Sequence, residues 1–314
     1  MTPTTRLFLT AGLFAAVAFD THAAMERTVE KTFTVQPGGT LRVETQGGDI
    51  RVLPSDGTTV RIIAKERIVA STDAEADELL KKLTLTFEQT GRETSAAAKY
   101  EERPLGFHFG SWPPVTVSFT VTVPASFAAD LNTSGGSITV GDLTGRVRAR
   151  TSGGDIKLGR MANDLDARTS GGSVSLEEGQ RTVNLGTSGG DIVVGRLTGS
   201  AELATSGGSI KIESVEGGLH ASTSGGDVRA GFTGPLKEEC VLGTSGGSVK
   251  ITVDKNAAFR LDAATSGGQV DATGLTLTLD RPSSNGSQLA GAVNGGGPLL
   301  KLRTSGGDIV VRTH

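Results

Sequence analysis

The tetrapeptide Thr-Ser-Gly-Gly recurs along this chain at a fixed interval. It begins at Thr133, Thr151, Thr169, Thr187, Thr205 and Thr223, each step 18 residues, then at Thr244 and Thr265 in steps of 21, and last at Thr304. A unit this small cannot bury a hydrophobic face alone, so so regular a period means that copies stack on one another. The final gap of 39 residues holds one step of each length, and Ser283-Ser284-Asn285-Gly286-Ser287 stands at its 18-residue mark as a degraded copy. A related unit, Thr45-Gln46-Gly47-Gly48-Asp49-Ile50, lies near the start of the chain.

Aligning the copies on the threonine locates the core. Position 6 is Ile138, Ile156, Val174, Ile192 and Ile210; position 8 is Val140, Leu158, Leu176, Val194 and Ile212. Position 11 holds Leu143, Met161, Gly179, Leu197 and Val215. Positions 15 and 17 hold Val147, Leu165, Val183, Ala201 and Leu219, and Ala149, Ala167, Leu185, Leu203 and Ala221. Positions 6 and 8 alternate, as do 15 and 17, which is the period of two of a strand with one buried face. Each repeat is therefore two short strands joined by two turns. The residues between them, Thr139, Lys157, Ser175, Val193 and Lys211, point outward and vary.

The turn glycines, Gly135 and Gly136, Gly153 and Gly154, Gly171 and Gly172, Gly189 and Gly190, Gly207 and Gly208, Gly225 and Gly226, fall where stacked backbones leave no room for a Cβ. The second turn carries Gly145, Asn163, Gly199 or Gly217, residues that tolerate a left-handed backbone. Parallel stacking at about 4.8 Å per rung lets each strand bond to the same strand one repeat away, and nine or ten rungs give a rod about 45 Å long. Position 5 alternates as Ser137, Asp155, Ser173, Asp191, Ser209, Asp227 and Ser248, which keeps like charges two rungs apart. Arg146 and Arg148 would lie over Asp164 and Asp166 of the next rung, a weak but register-favouring pairing. The threonines continue the inward series, so their hydroxyls must bond to neighbouring rungs rather than line a flat outer face.

Residues 24–132 differ from the solenoid proper, 133–314. Leu41, Val43, Thr45, Ile50 and Val52 suit one partial rung, which Val60 and Ile62 extend. Ser71 to Leu83 places Asp73, Glu75, Asp77 and Glu78 before Lys81 and Lys82, the charge order of a short helix. Leu83–Phe87 and Val115–Val123 alternate as strands. This part is expected to cap the exposed end of the solenoid. The fold class is thus all-β: a parallel β-solenoid of two-strand rungs with a β-rich N-terminal cap containing one short helix.

Residues 1–23 have the form of a secretory signal: Arg6, an apolar run from Leu7 to Phe19, then Ala23 and Ala24. That run is too short to span a bilayer, and no later stretch suits a transmembrane helix. Cys240 is the single cysteine, so neither an internal disulfide nor a lipoprotein anchor at the end of the signal is available. Export to the periplasm, the outer surface or the medium is expected. A formal net charge of −3 offers no broad field to nucleic acid.

The Thr-Ser-Gly-Gly-Ser/Asp-Ile/Val units, entered from Val115 to Pro124, resemble a bacterial family of unknown function named for putative adhesins with β-strand repeats. The resemblance covers most of the chain after the signal. It implies a cell-envelope β-solenoid and no catalytic residues.

Three other patterns bear on function. Gly186-Thr187-Ser188-Gly189-Gly190 matches the serine nucleophile pattern, as does Gly243 to Gly247, but no helix follows and His108, His220 and His314 show no pairing signal. Gly-Gly-Asp resembles calcium-binding nonapeptides, yet the intervening half-repeats lack the motif and every second repeat has Ser in place of Asp. Phe107, Phe109 and Trp112, in a Gly- and Pro-rich stretch, are candidate partner contacts, although covering the first rung is the simpler role. No metal or cofactor is implied. The expected function is a non-enzymatic structural or adhesin-like module for an envelope or surface ligand, protein or glycan. The alternative is a carbohydrate-active β-helix enzyme, for which Glu177, Glu178 and Glu213 would supply the carboxylates.

Overall fold

A computed structural model of the protein describes residues 25–70, 72–100, 114–280 and 286–314. The signal-like segment 1–23 and the aromatic stretch with Phe107, Phe109 and Trp112 lie outside them. Two long sheets, of 13 and 14 strands, face each other across a continuous apolar core. Each rung, named here by its threonine, gives one strand to each sheet. The Thr151 rung, for example, contributes Val147–Arg150 to the second sheet and Ile156–Met161 to the first.

Stacking follows the repeat. Ile192 lies in register between Val174 and Ile210, and all three are fully buried, whereas Val193 is 41% exposed. Positions 6, 8, 11, 15 and 17 line the core along the regular rungs. At position 11 of the Thr169 rung Gly179 leaves no hole, because a Cβ there would meet Val183 at 2.5 Å. Apolar burial at about 25 cal/mol per Å2 is the main drive for this stack.

The inward threonines tie the rungs together. The Thr187 hydroxyl donates to the Gly172 carbonyl of the preceding rung (2.7 Å) and accepts from the Gly190 N–H of its own (3.3 Å). The same two bonds recur at Thr133, Thr151, Thr169, Thr205, Thr244, Thr265 and Thr304, and Thr223 makes the bond to the Gly208 carbonyl. Each buried hydroxyl is thereby satisfied, which removes the cost of burying it. A Cβ on Gly172 would sit 2.2 Å from the Gly154 carbonyl oxygen, while one on Gly171 would lie 3.3 Å from its nearest neighbour. The second glycine of each pair is the one that close backbone approach demands.

The other turn corrects an expectation. Gly145, Asn163, Gly199 and Gly217 do not adopt the left-handed backbone. Gly145 and Gly199 are again sites of close approach, 2.1 and 2.2 Å from the carbonyl oxygens of Phe127 and Arg181 for an added Cβ. Asn163 instead accepts a bond from the Asp164 N–H through its own side chain (2.9 Å). Of the two expected cross-rung ion pairs, Arg148 reaches Asp166 (3.7 Å), but Arg146 and Asp164 do not close; Asp166 is taken by Arg148, Arg150 and Arg168.

Both ends depart from sequence order. The last rung, Leu299–Thr304 and Ile309–Thr313, does not follow the Thr265 rung. It is inserted between the Thr244 and Thr265 rungs in both sheets. Of the expected degraded copy, residues 283–285 lie outside the described residues; the strand that follows it, Gln288–Val293, runs antiparallel to Phe259–Thr265. The inserted rung is clamped to its outer neighbour by Arg303 on Asp262 (2.5 Å) and by Arg312 on Asp271. The arginine holds the Asp271 carboxyl well below the usual carboxylate range.

The start of the chain repeats this arrangement. Thr40–Thr45 and Ile50–Ser55 form a complete rung, not a partial one, and it lies inside an outer rung made by the later strands Glu93–Tyr100 and Val115–Pro124. Val60 and Ile62 do not extend it; Thr59–Ile68 turns back antiparallel to Val115–Pro124, and Met25–Thr34 pairs antiparallel outside that. Leu83–Thr90 closes the second sheet as an antiparallel partner of Glu93–Tyr100. The helix spans Asp73–Lys81, capped by the Thr72 hydroxyl, which accepts from the Glu75 N–H (3.2 Å). The long edge strand Met25–Thr34 carries Glu26, Arg27, Glu30 and Lys31, which disfavour edge-to-edge association.

A candidate binding face on the first sheet

With the core fixed by repetition, chemistry is left to the two outer faces. Three columns of outward residues run along the rod. In the first, position 5, each side chain accepts from the backbone N–H of position 5 in the next rung. Asp155 takes the Ser173 N–H (2.8 Å), Ser173 takes the Asp191 N–H (3.1 Å), and Asp191 takes the Ser209 N–H (2.7 Å). The aspartates of the Gly-Gly-Asp units are thus used in a backbone ladder. Among the described residues no group of three or more His, Cys, Asp or Glu side chains could hold a metal ion.

The second column lies on the second sheet and alternates in sign: Arg42, Asp130, Arg148 and Asp166 are stacked partners. Partial burial opposes ionisation of Asp166, but the Arg168 and Arg150 guanidiniums hold its carboxyl below its usual range. This face neutralises itself.

The third column, position 7 of the first sheet, does not. Lys211, Arg229 and Lys250 occupy successive rungs in direct register. They line a shallow hollow of about 450 Å3 with Glu213, Thr233, Thr252 and His314. Lys211 meets Glu213 at 3.3 Å and Arg229 meets Asp227 at 2.9 Å, whereas Lys250 has no ion-pair partner among the described residues. The hollow opens where Val228–Phe232 slips register against Ile210–Val215. There the repeat step lengthens from 18 to 21 residues. Aligned on the threonine, Arg229 and Lys250 stand at position 7 of the Thr223 and Thr244 copies, as Lys211 does in the Thr205 copy, so the trio is legible in the sequence.

The residues suited to hydrolysis are not brought together. Ser188 sits in a strand-to-strand turn between Val183–Gly186 and Ile192–Leu197, and its N–H donates to Ser170 of the rung before. His220 lies on the second sheet and His314 beside the hollow on the first. Glu178 stacks between Arg160 and Arg196, and Glu213 is paired with Lys211. Cys240 is a core residue between Leu219 and Leu300; burial pushes its thiol up to about 11, which leaves it protonated and inert.

Two parallel sheets built from stacked short rungs, closed by antiparallel strands at the near end of both and at the far end of the second, define a parallel β-solenoid. The chain belongs to the Toastrack DUF4097 family, a domain family of unknown function whose model matches residues 52–312. Similar solved structures include a putative adhesin from Bacteroides fragilis, with 11% identity, a TM-score of 0.41, and coverage of 92% of this chain and 97% of that one. Another is a putative adhesin from Parabacteroides merdae, with 12% identity, a TM-score of 0.34 and coverage of 92% and 96%. A third is a putative lipid binding protein from Parabacteroides distasonis, with 12% identity, a TM-score of 0.38 and coverage of 90% and 96%. No curated protein matches the chain. No helix among the described residues is long and apolar enough to cross a membrane.

Proposed function

We propose that the protein is an exported, non-enzymatic binding module of the bacterial envelope, with residues 24–132 as its cap and 133–314 as its display surface. One observation carries this reading. Inward positions are nearly uniform from rung to rung, while the outward column of the first sheet runs Thr139, Lys157, Ser175, Val193, Lys211, Arg229, Lys250. A scaffold that holds its core constant and varies its exposed columns presents an extended surface for recognition. The signal-like residues 1–23 support export, and an envelope or surface ligand, protein or glycan, is the expected partner. The aromatic stretch with Phe107, Phe109 and Trp112 is a second contact region to test.

Affinity capture from the native envelope, read by mass spectrometry, should recover a ligand, and the exported protein should begin near Ala24 or Met25. Full-length protein confined to the cytosol, or depolymerisation of a polysaccharide by the purified protein, would contradict the proposal.

A further inference from the structure

We infer that the Lys211–Arg229–Lys250 hollow binds the sulfate or phosphate groups of an anionic polysaccharide lying along the rod; the inference rests on the binding-module reading. Three like charges stacked in register at about 4.8 Å repel one another. Elsewhere this chain avoids that arrangement. It separates the aspartates of position 5 with serines, and it alternates Arg42, Asp130, Arg148 and Asp166 on the other sheet. Among the described residues the chain elsewhere stacks at most two like charges in register, Arg150 on Arg168; a column of three departs from that habit and marks a functional site.

The place itself is distinctive. The register slip between Ile212 and Val215 against the Val228 strand falls at the same rungs, and such irregularities re-aim side chains beside sites. Glu213 and Asp227 offset two of the three charges, leaving an excess cation at Lys250. The hydroxyls of Thr233 and Thr252 lie in the lining and can donate to anionic oxygens. The geometry selects an extended polymer, because basic side chains recur once per rung along the axis, two of them ion-paired and Lys250 not. It does not suit an acyl chain: Val193 is the one large apolar residue strongly exposed on this column among the described residues. Sulfated and phosphorylated glycans have the matching chemistry.

The test uses the exported form of the protein and three probes: dextran sulfate, uncharged dextran, and vesicles of phosphatidylglycerol. Dextran sulfate should bind, weakening as salt rises, and dextran should not. The variant Lys211→Gln/Arg229→Gln/Lys250→Gln should bind dextran sulfate at least tenfold more weakly, while Lys157→Gln, on the same column outside the hollow, should change binding less than twofold. The triple variant should melt no lower than the parent, since relief of repulsion offsets two exposed ion pairs; a circular-dichroism melt confirms that it folds. Equal affinity of parent and triple variant, binding of dextran as strong as that of its sulfate, or a preference for the vesicles would each overturn the inference. Capture of an envelope ligand equally well by both proteins would discard this site but keep the binding-module reading. Failure of the parent to capture any ligand would discard that reading too.

Discussion

The middle of the rod and its two ends solve the same problem differently. From the Thr151 rung to the Thr223 rung each rung lies between its neighbours in sequence. Its contacts are local, and it can be added one step at a time. At each end the rung nearer the terminus is placed inside the stack and a rung further from that terminus in sequence is laid outside it. A simple solenoid would leave its terminal rungs free to fray. Here the first and last rungs have hydrogen-bonded partners on both sides, and the outer positions go to rungs closed by antiparallel strands in both sheets at the near end and in the second sheet at the far end. End insertion exchanges local contacts for long-range ones, which slows folding but protects the ends.

That comparison can be broken most sharply with a buried charge. Ile192→Asp in the middle should cost several kcal/mol, because an unpaired carboxylate would be buried; Val193→Asp, exposed, should cost far less. If the last rung is interior, Ile309→Asp should lower the melting midpoint about as much as Ile192→Asp. Ile309 is fully buried between Val249 and Val270. A much smaller loss at Ile309 would mean that the end frays like an ordinary terminus. Equal losses at Ile192 and Val193 would refute the register.

A smaller effect separates the two turn glycines. Gly172→Ala forces backbone against backbone and should cost about 3 kcal/mol. Gly171→Ala asks a neighbour to give by only a few tenths of an ångström and should cost less than about 1 kcal/mol. Denaturant melts of the two variants, one residue apart, distinguish close approach from a general demand for flexibility.

The smallest effect lies in the cap. Glu66 is 3% exposed and faces inward beside Ala64 and Ile68, with Arg27 at 3.7 Å. Burial raises its pKa more than Arg27 lowers it. The unfolded chain therefore releases this proton at a lower pH than the fold does, and stability is lost as pH rises through the folded-state value. Glu66→Gln should melt higher than the parent at pH 7, with the advantage gone below about pH 4. A variant that melts lower at pH 7 would contradict this account.

The rungs were legible in the sequence because burial writes a period of two and stacking repeats it. The inward positions could be read directly from Ile192, Val194, Leu203 and their equivalents. What the repeat did not reveal was the order of the rungs, since adjacency in sequence is the natural assumption. Yet a signal was present. In sequence, position 5 ends as Ser248, Gln269, Asp308, which breaks the alternation of Ser and Asp. In space the order is Ser248, Asp308, Gln269, and the ladder continues: Ser248 accepts from Asp308, and Asp308 from Gln269. At the other end Asp49 lies between Ser118 and Ser137 in the same ladder. The alternation encodes spatial order, not chain order. The basic trio, by contrast, falls at position 7 of three successive copies and is legible once the threonine alignment is carried past Lys211.

The placement of the last rung can be tested directly by cross-linking. Val241, Lys301 and Asp262 occupy one outward column, with Lys301 paired in register to each of the other two. In a Cys240→Ala background, cysteines at 241 and 301 would have Cα atoms about 5 Å apart, within reach of a disulfide, whereas 241 and 262 would be about 10 Å apart, beyond it. The inserted order predicts rapid oxidation of the 241–301 pair and none of the 241–262 pair. A disulfide between 241 and 262, with none between 241 and 301, would show that the rungs stack in sequence order and that the account of the ends is wrong.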